Sequence, residues 1–158
     1  MGEERPSLSA DRRQSETALM IARGVRRLLR ARGFSSLTEL PLTDGRRADI
    51  AAVNREGEVL IVEVKSSPAD FRADRKWRDY AASCDRLYFA VSGRTPAGLM
   101  PLEAGLILAD PYGAEILREA ELQRMAPASR RAVLLRFAQA AADRLHRLAD
   151  PGAMFDVV

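Results

Sequence analysis

The sequence predicts an α/β domain. A helix leads into a three-stranded meander, then a second helix and a fourth strand, and a hairpin and a long helix close the chain. Three observations carry that prediction. Two stretches, 15–32 and 129–148, repeat apolar residues at helical spacing, with arginines largely off the apolar stripe. Three strand-like runs, 35–42, 47–54 and 58–66, are separated by Asp44-Gly45 and by Arg55-Glu56-Gly57, both turn signals. Leu87–Ser92 is short and almost wholly apolar, as a central strand covered on both faces requires.

The first helix has Ser15 as N-cap and Gly33 as its stop, with Ala18, Ile21, Ala22, Val25, Leu28 and Leu29 facing inward. Glu16 reads as a first-turn acid favoured by the helix dipole; whether it joins a site stays open. The second helix runs from Pro68 to Cys84, with Ser67 as N-cap, Pro68 at N1 and Asp70 at N3. Trp77 and Tyr80 read as core on its inner stripe, and Lys76 sits at the edge of that stripe, either solvated or reaching a phosphate. The strand–helix–strand order over 58–92 implies a right-handed parallel crossover. Gly105–Ala109 and Ala114–Arg118 form a hairpin around Asp110-Pro111-Tyr112-Gly113. The last helix turns Val133, Leu134, Phe137, Ala141, Leu145 and Leu148 inward.

With 158 residues, 47% hydrophobic and 30% charged, the chain suits one domain with a real core. That domain is expected over 15–150, after a charged lead-in over 1–14 and before a tail over 151–158. No window is long and apolar enough for a membrane helix, and the N-terminus lacks a secretory signal's apolar core. The expectation is therefore a cytoplasmic protein with no membrane partner. Cys84 is the single cysteine and His146 the single histidine, which excludes an intrachain disulfide and a Cys/His zinc cluster. A Ser-His-Asp triad would need His146 itself, which falls near the end of the last helix.

Charge is uneven along the chain. Residues 1–33 hold eight arginines against four acids, and 124–147 hold six against one, whereas 34–123 hold eleven basic residues against fifteen acids. Basic ends around an acidic centre suit a protein that grips phosphates around a cation site, and an ordinary arginine-rich surface gives the same pattern. Of 25 basic residues only Lys65 and Lys76 are lysines, which invites roles that a compact ammonium fills better.

The chemistry centres on Val59–Ser67, VLIVEVKSS. Glu63 and Lys65 are two apart, so a strand places them on one face of a segment otherwise fit for burial. Buried charges must be paired or bind a metal, and a structural salt bridge is one solution. The turns offer another. If residues 55–57 form a three-residue loop with Gly57 left-handed, Asp49 falls opposite Glu63 and Arg47 opposite Lys65. A three-residue loop at Thr43-Asp44-Gly45 likewise puts Glu39 opposite Asp49, whereas a two-residue turn sends Glu39 to the far face. In the first case three carboxylates converge beside Lys65. Like charges directly opposed on a sheet are destabilising, and Mg²⁺ or Mn²⁺ resolves the conflict with oxygen ligands.

The order α–β–β–β–α–β, with Asp49, thirteen intervening residues, then Glu63-Val64-Lys65, resembles the PD-(D/E)XK nuclease superfamily and its restriction-endonuclease-like core. Ala48 replaces the usual proline before the first acid. The runs Arg46-Arg47-Ala48-Asp49, Val62-Glu63-Val64-Lys65-Ser66-Ser67, Asp70-Phe71, Asp74, Lys76-Trp77, Tyr80 and Cys84–Val91 are similar to the MmcB family of bacterial DNA repair proteins, as are Gly105–Asp110 and Gly113-Ala114-Glu115. The similarity covers about 15–150. It implies a DNA-repair role and a nuclease-like fold. Asp49, Glu63 and the Val64 backbone carbonyl would bind the metal, with Glu39 as an optional further ligand. Lys65 would orient the attacking water or stabilise charge on the phosphate. Arg46, Arg47 and Lys76 would hold DNA phosphates. A homodimer is compatible with the superfamily. The alternative is a non-catalytic DNA-binding or partner-binding module on the same fold.

Overall fold

The computed structural model describes residues 8–67, 77–95, 98 and 100–152, with side chains described from residue 16 onward. Its elements in chain order are α1 (Leu8–Ala31), β1 (Ser35–Pro41), β2 (Arg47–Val53), β3 (Val59–Lys65), a 3₁₀ helix (Trp77–Ser83), β4 (Arg86–Val91), β5 (Gly105–Ala109), β6 (Ala114–Arg118) and α2 (Pro127–Ala149). The six strands form one mixed sheet in sequence order. β1–β2, β2–β3 and β5–β6 pair antiparallel; β3–β4 and β4–β5 pair parallel. The α/β class and its core order are as the sequence predicts.

Both turn assignments hold. Asn54 N–H donates to the Glu58 carbonyl at 3.2 Å, and Gly57 takes φ +82°. Leu42 N–H donates to the Arg46 carbonyl at 2.7 Å, and Gly45 takes φ +85°. Only glycine reaches such angles without crowding its Cβ, so these two residues fix the loop lengths and, through them, the strand faces.

The sheet buries both faces. On one side α1 lays Ile21, Val25 and Leu29 against Ile50, Val62, Tyr88, Ala90 and Ile107. On the other, α2 and the 3₁₀ helix cover Ala51, Val59, Ile61 and Leu87. β3 is buried at all seven positions. Gly24 lets α1 approach the β5–β6 turn directly, since a Cβ there would lie 2.0 Å from the Asp110 carbonyl oxygen.

Two elements differ from expectation. Helix α1 begins at Leu8 rather than Ser15, because nothing in Ala10–Gln14 interrupts a helix. Trp77–Ser83 is 3₁₀ rather than α-helical. Its period of three puts Trp77 and Tyr80 on one face, and both pack on the α2-side core. The proposed start of that helix, including Asp70, Asp74 and Lys76, lies outside the described residues.

Candidate functional site

Asp49 and Glu63 meet where β2 enters the sheet and β3 nears its end. The registered pairs Ile50–Val62 and Ala51–Ile61 set Asp49 across from Glu63. Each carboxylate accepts from the other strand's backbone. Asp49 N–H donates to Glu63 Oε1 at 3.2 Å, and Val64 N–H donates to Asp49 Oδ2 at 2.9 Å. Glu63 is 3% exposed and Lys65 6% exposed, on the α2-side face of a strand that is otherwise apolar. Asp49 is half-buried, so the pair is not fully sealed from solvent.

Electrostatics at the pair are unbalanced. Burial first, and then the charge of Asp49, push the Glu63 carboxyl up to about 9; the Asp49 N–H and the Lys65 ammonium oppose this more weakly. Without a cation, these forces favour the protonated form of Glu63, with Asp49 as its hydrogen-bond partner. A carboxyl raised this far by burial, with a second acid beside it, makes the pair the candidate functional site.

Glu39 does not reach this pair. The β1–β2 register is the one that would set it opposite Asp49, with Thr38–Ile50 and Leu40–Ala48 paired on either side. Its backbone, however, sits at φ +51°, which breaks the strand's alternation. Leu37 and Leu40 both join the α2-side core as a result. The Glu39 side chain is 68% exposed and lies 3.8 Å from Arg47. Arg144 of α2 holds the backbone in place, donating to the Thr38 carbonyl at 2.6 Å and the Glu39 carbonyl at 3.1 Å. Among the described residues no group of three acids, cysteines or histidines could enclose a metal. Glu16 lies exposed in α1, on the opposite side of the sheet.

The flanking arginines divide. Arg46 pairs with Asp79 at 2.5 Å and lies over the Tyr80 ring at 5.8 Å, so its guanidinium is engaged within the protein. Arg47 is 66% exposed and faces solvent beside the cluster. Lys76 lies outside the described residues. Cys84 is buried, and burial pushes its thiol up to about 12, which rules it out as a nucleophile at neutral pH.

Two features had no clear sequence signal. Asp85, 2% exposed, accepts from Arg130 through both oxygens at 2.6 and 2.7 Å. It also accepts from Val59 N–H at 2.8 Å and from Met125 N–H at 3.0 Å. Burial raises the Asp85 carboxyl, but these bonds outweigh it and hold the group below the usual range. The separation of 45 positions hides the pair from any local pattern. Ser92, next after the Val91 that pairs with Lys65, has a buried hydroxyl without a hydrogen-bond partner among the described residues.

The fold and site define an α/β protein with a mixed six-stranded sheet, whose buried third strand carries an acid–lysine pair facing a second acid. The sequence matches the family described as DNA repair protein MmcB-like over residues 5–152, and the chain belongs to that family. A solved structure of the SPO1766 protein of unknown function from Silicibacter pomeroyi is similar, with a TM-score of 0.86 and 44% identity over 90% of this chain and 97% of that one. No curated protein matches. No helix among the described residues is long and apolar enough to cross a membrane.

Proposed function

We propose that this protein acts in DNA repair as a nuclease that hydrolyses phosphodiester bonds with Mg²⁺ or Mn²⁺ at Asp49 and Glu63. The observation that carries the reading is the opposition of these two acids, one buried, with Lys65 on the same face of β3. Membership of the MmcB-like DNA repair family supplies the substrate class.

The donor set fits the metal. Mg²⁺ keeps several waters and is commonly bound by one or two carboxylates together with substrate phosphate. Asp49 and Glu63 provide two carboxylates, and the Val64 carbonyl between Glu63 and Lys65 is the expected third oxygen. A cation bound there would lower the pKa of a water and offset negative charge on the phosphate. The protein's own groups do the rest. The two strand amides fix Asp49 and Glu63 in register. Lys65 offers an ammonium to the attacking water or to the charge building on phosphate oxygen. Arg47, exposed beside the pair, would hold a neighbouring phosphate.

The test is cleavage of branched, nicked and single-stranded DNA with Mg²⁺ or Mn²⁺ by wild type, Asp49→Ala and Lys65→Ala. Cleavage by wild type and its loss in both variants is expected. Tight DNA binding by wild type with no cleavage of any substrate would sink the nuclease reading. It would favour a binding module.

A further inference from the structure

The edge of the sheet carries a second feature. Arg23, Arg26, Arg27 and Arg30 fall at i, i+3, i+4 and i+7, so α1 presents them as one stripe. All four are exposed. They form one wall of an open groove whose floor includes Phe34 and whose other wall is the hydroxyl row Ser35, Ser36 and Thr38 of β1. No acid lines it.

Two of the arginines are already fixed. Arg26 donates through Nε to Ser36 Oγ at 3.0 Å and through its terminal nitrogen to the Ser36 carbonyl at 3.2 Å. Arg27 donates to the Tyr112 carbonyl at 3.1 Å. Arg23 and Arg30, at the two ends of the stripe, make no ion pair among the described residues. The stripe spans about 10 Å at 1.5 Å per helical residue. Along a duplex axis that length passes about three phosphates of one strand. At its far end the groove reaches Thr38 on the α1 side of the edge strand β1; the Asp49–Glu63 pair lies on the other face of the sheet.

We propose that this groove, on the face of the sheet opposite the Asp49–Glu63 pair, holds the sugar–phosphate backbone of duplex DNA at the β1 edge. Guanidinium forks match phosphate oxygens, hydroxyls donate to them, and neither reads bases, so the contact is sequence-independent. The inference rests on DNA being the partner and not on cleavage.

The experiment is fluorescence anisotropy with a short labelled duplex, in chelator, across a series of KCl concentrations. For Arg23→Gln/Arg30→Gln, the slope of log K against log salt is expected to flatten by about 1.8, roughly 0.9 for each phosphate no longer neutralised. Arg23→Lys/Arg30→Lys should keep the wild-type slope, because charge is retained. Arg131→Gln/Arg136→Gln on α2 removes the same charge elsewhere and should change it less. Circular dichroism of each variant guards against misfolding. An unchanged slope in the glutamine pair, or an equal loss in the α2 pair, overturns the groove while leaving DNA binding intact. Binding to phosphatidylserine vesicles with none to DNA overturns both the groove and the DNA reading. Binding through the groove without cleavage sinks only the nuclease.

Discussion

Replacing Glu63 with Gln should stabilise the metal-free protein at neutral pH. The folded state raises the Glu63 carboxyl to about 9 from an ordinary 4.5. The sign follows from linkage. Below pH 4.5 both states hold the proton and nothing is lost. Above it the unfolded chain releases the proton while the folded chain must keep it, so stability falls as pH rises, until the folded group titrates near 9. Each pH unit in that window is worth about 1.4 kcal/mol, so by pH 7 the loss is roughly 3 kcal/mol. Glutamine never ionises. Its carbonyl can accept the Asp49 N–H that Glu63 Oε1 now accepts, and its amide can donate to the Asp49 carboxylate. Urea unfolding of wild type and Glu63→Gln in chelator, from pH 5 to 8, reads the effect. The two proteins should be near parity at pH 5, and the variant ahead by about 3 kcal/mol at pH 7. A variant less stable than wild type across the whole range would refute the reasoning, since Glu63 would then be an ionised partner of Lys65.

Three further outcomes are expected. Mn²⁺ should raise the melting temperature of wild type and not that of Glu63→Gln, with the shift growing from pH 6 to 8 as the proton becomes easier to displace; equal shifts in both would place the ion elsewhere. Arg130→Met should destabilise by about 3–5 kcal/mol in urea unfolding, because it leaves the Asp85 charge buried without its partner; a loss below about 1 kcal/mol would show that the backbone amides suffice. Gly24→Ala should lower the melting temperature, with about 1–3 kcal/mol of destabilisation, because the new methyl meets two backbone oxygens of the β5–β6 turn that have no room to yield.

The site was legible where local chemistry fixes geometry. Gly45 and Gly57 set two loop lengths, loop length set register, and register placed Asp49 against Glu63. The same counting put Glu39 beside Asp49, and the count itself was right. Its side chain left because one residue adopted a left-handed backbone, held by an arginine more than a hundred positions away. Arg46 reads as a phosphate ligand in sequence, and only folding brings Asp79 to it. The parallel β4–β5 pairing and the Asp85–Arg130 pair depend on distant segments meeting, which no periodicity reports.

The Asp85 carboxylate also bears on the order in which this chain can become itself. It sits at the entrance to the central strands, tied to Val59 behind it and to Met125 and Arg130 ahead. A nascent chain that has built β3 and β4 therefore holds an acid whose guanidinium has yet to be synthesised. Until α2 arrives, that acid favours staying in water, and the centre of the sheet has reason to remain open. Long-range closure of this kind is slow by nature, and the Asp85–Arg130 pair ties the central strands to the last helix.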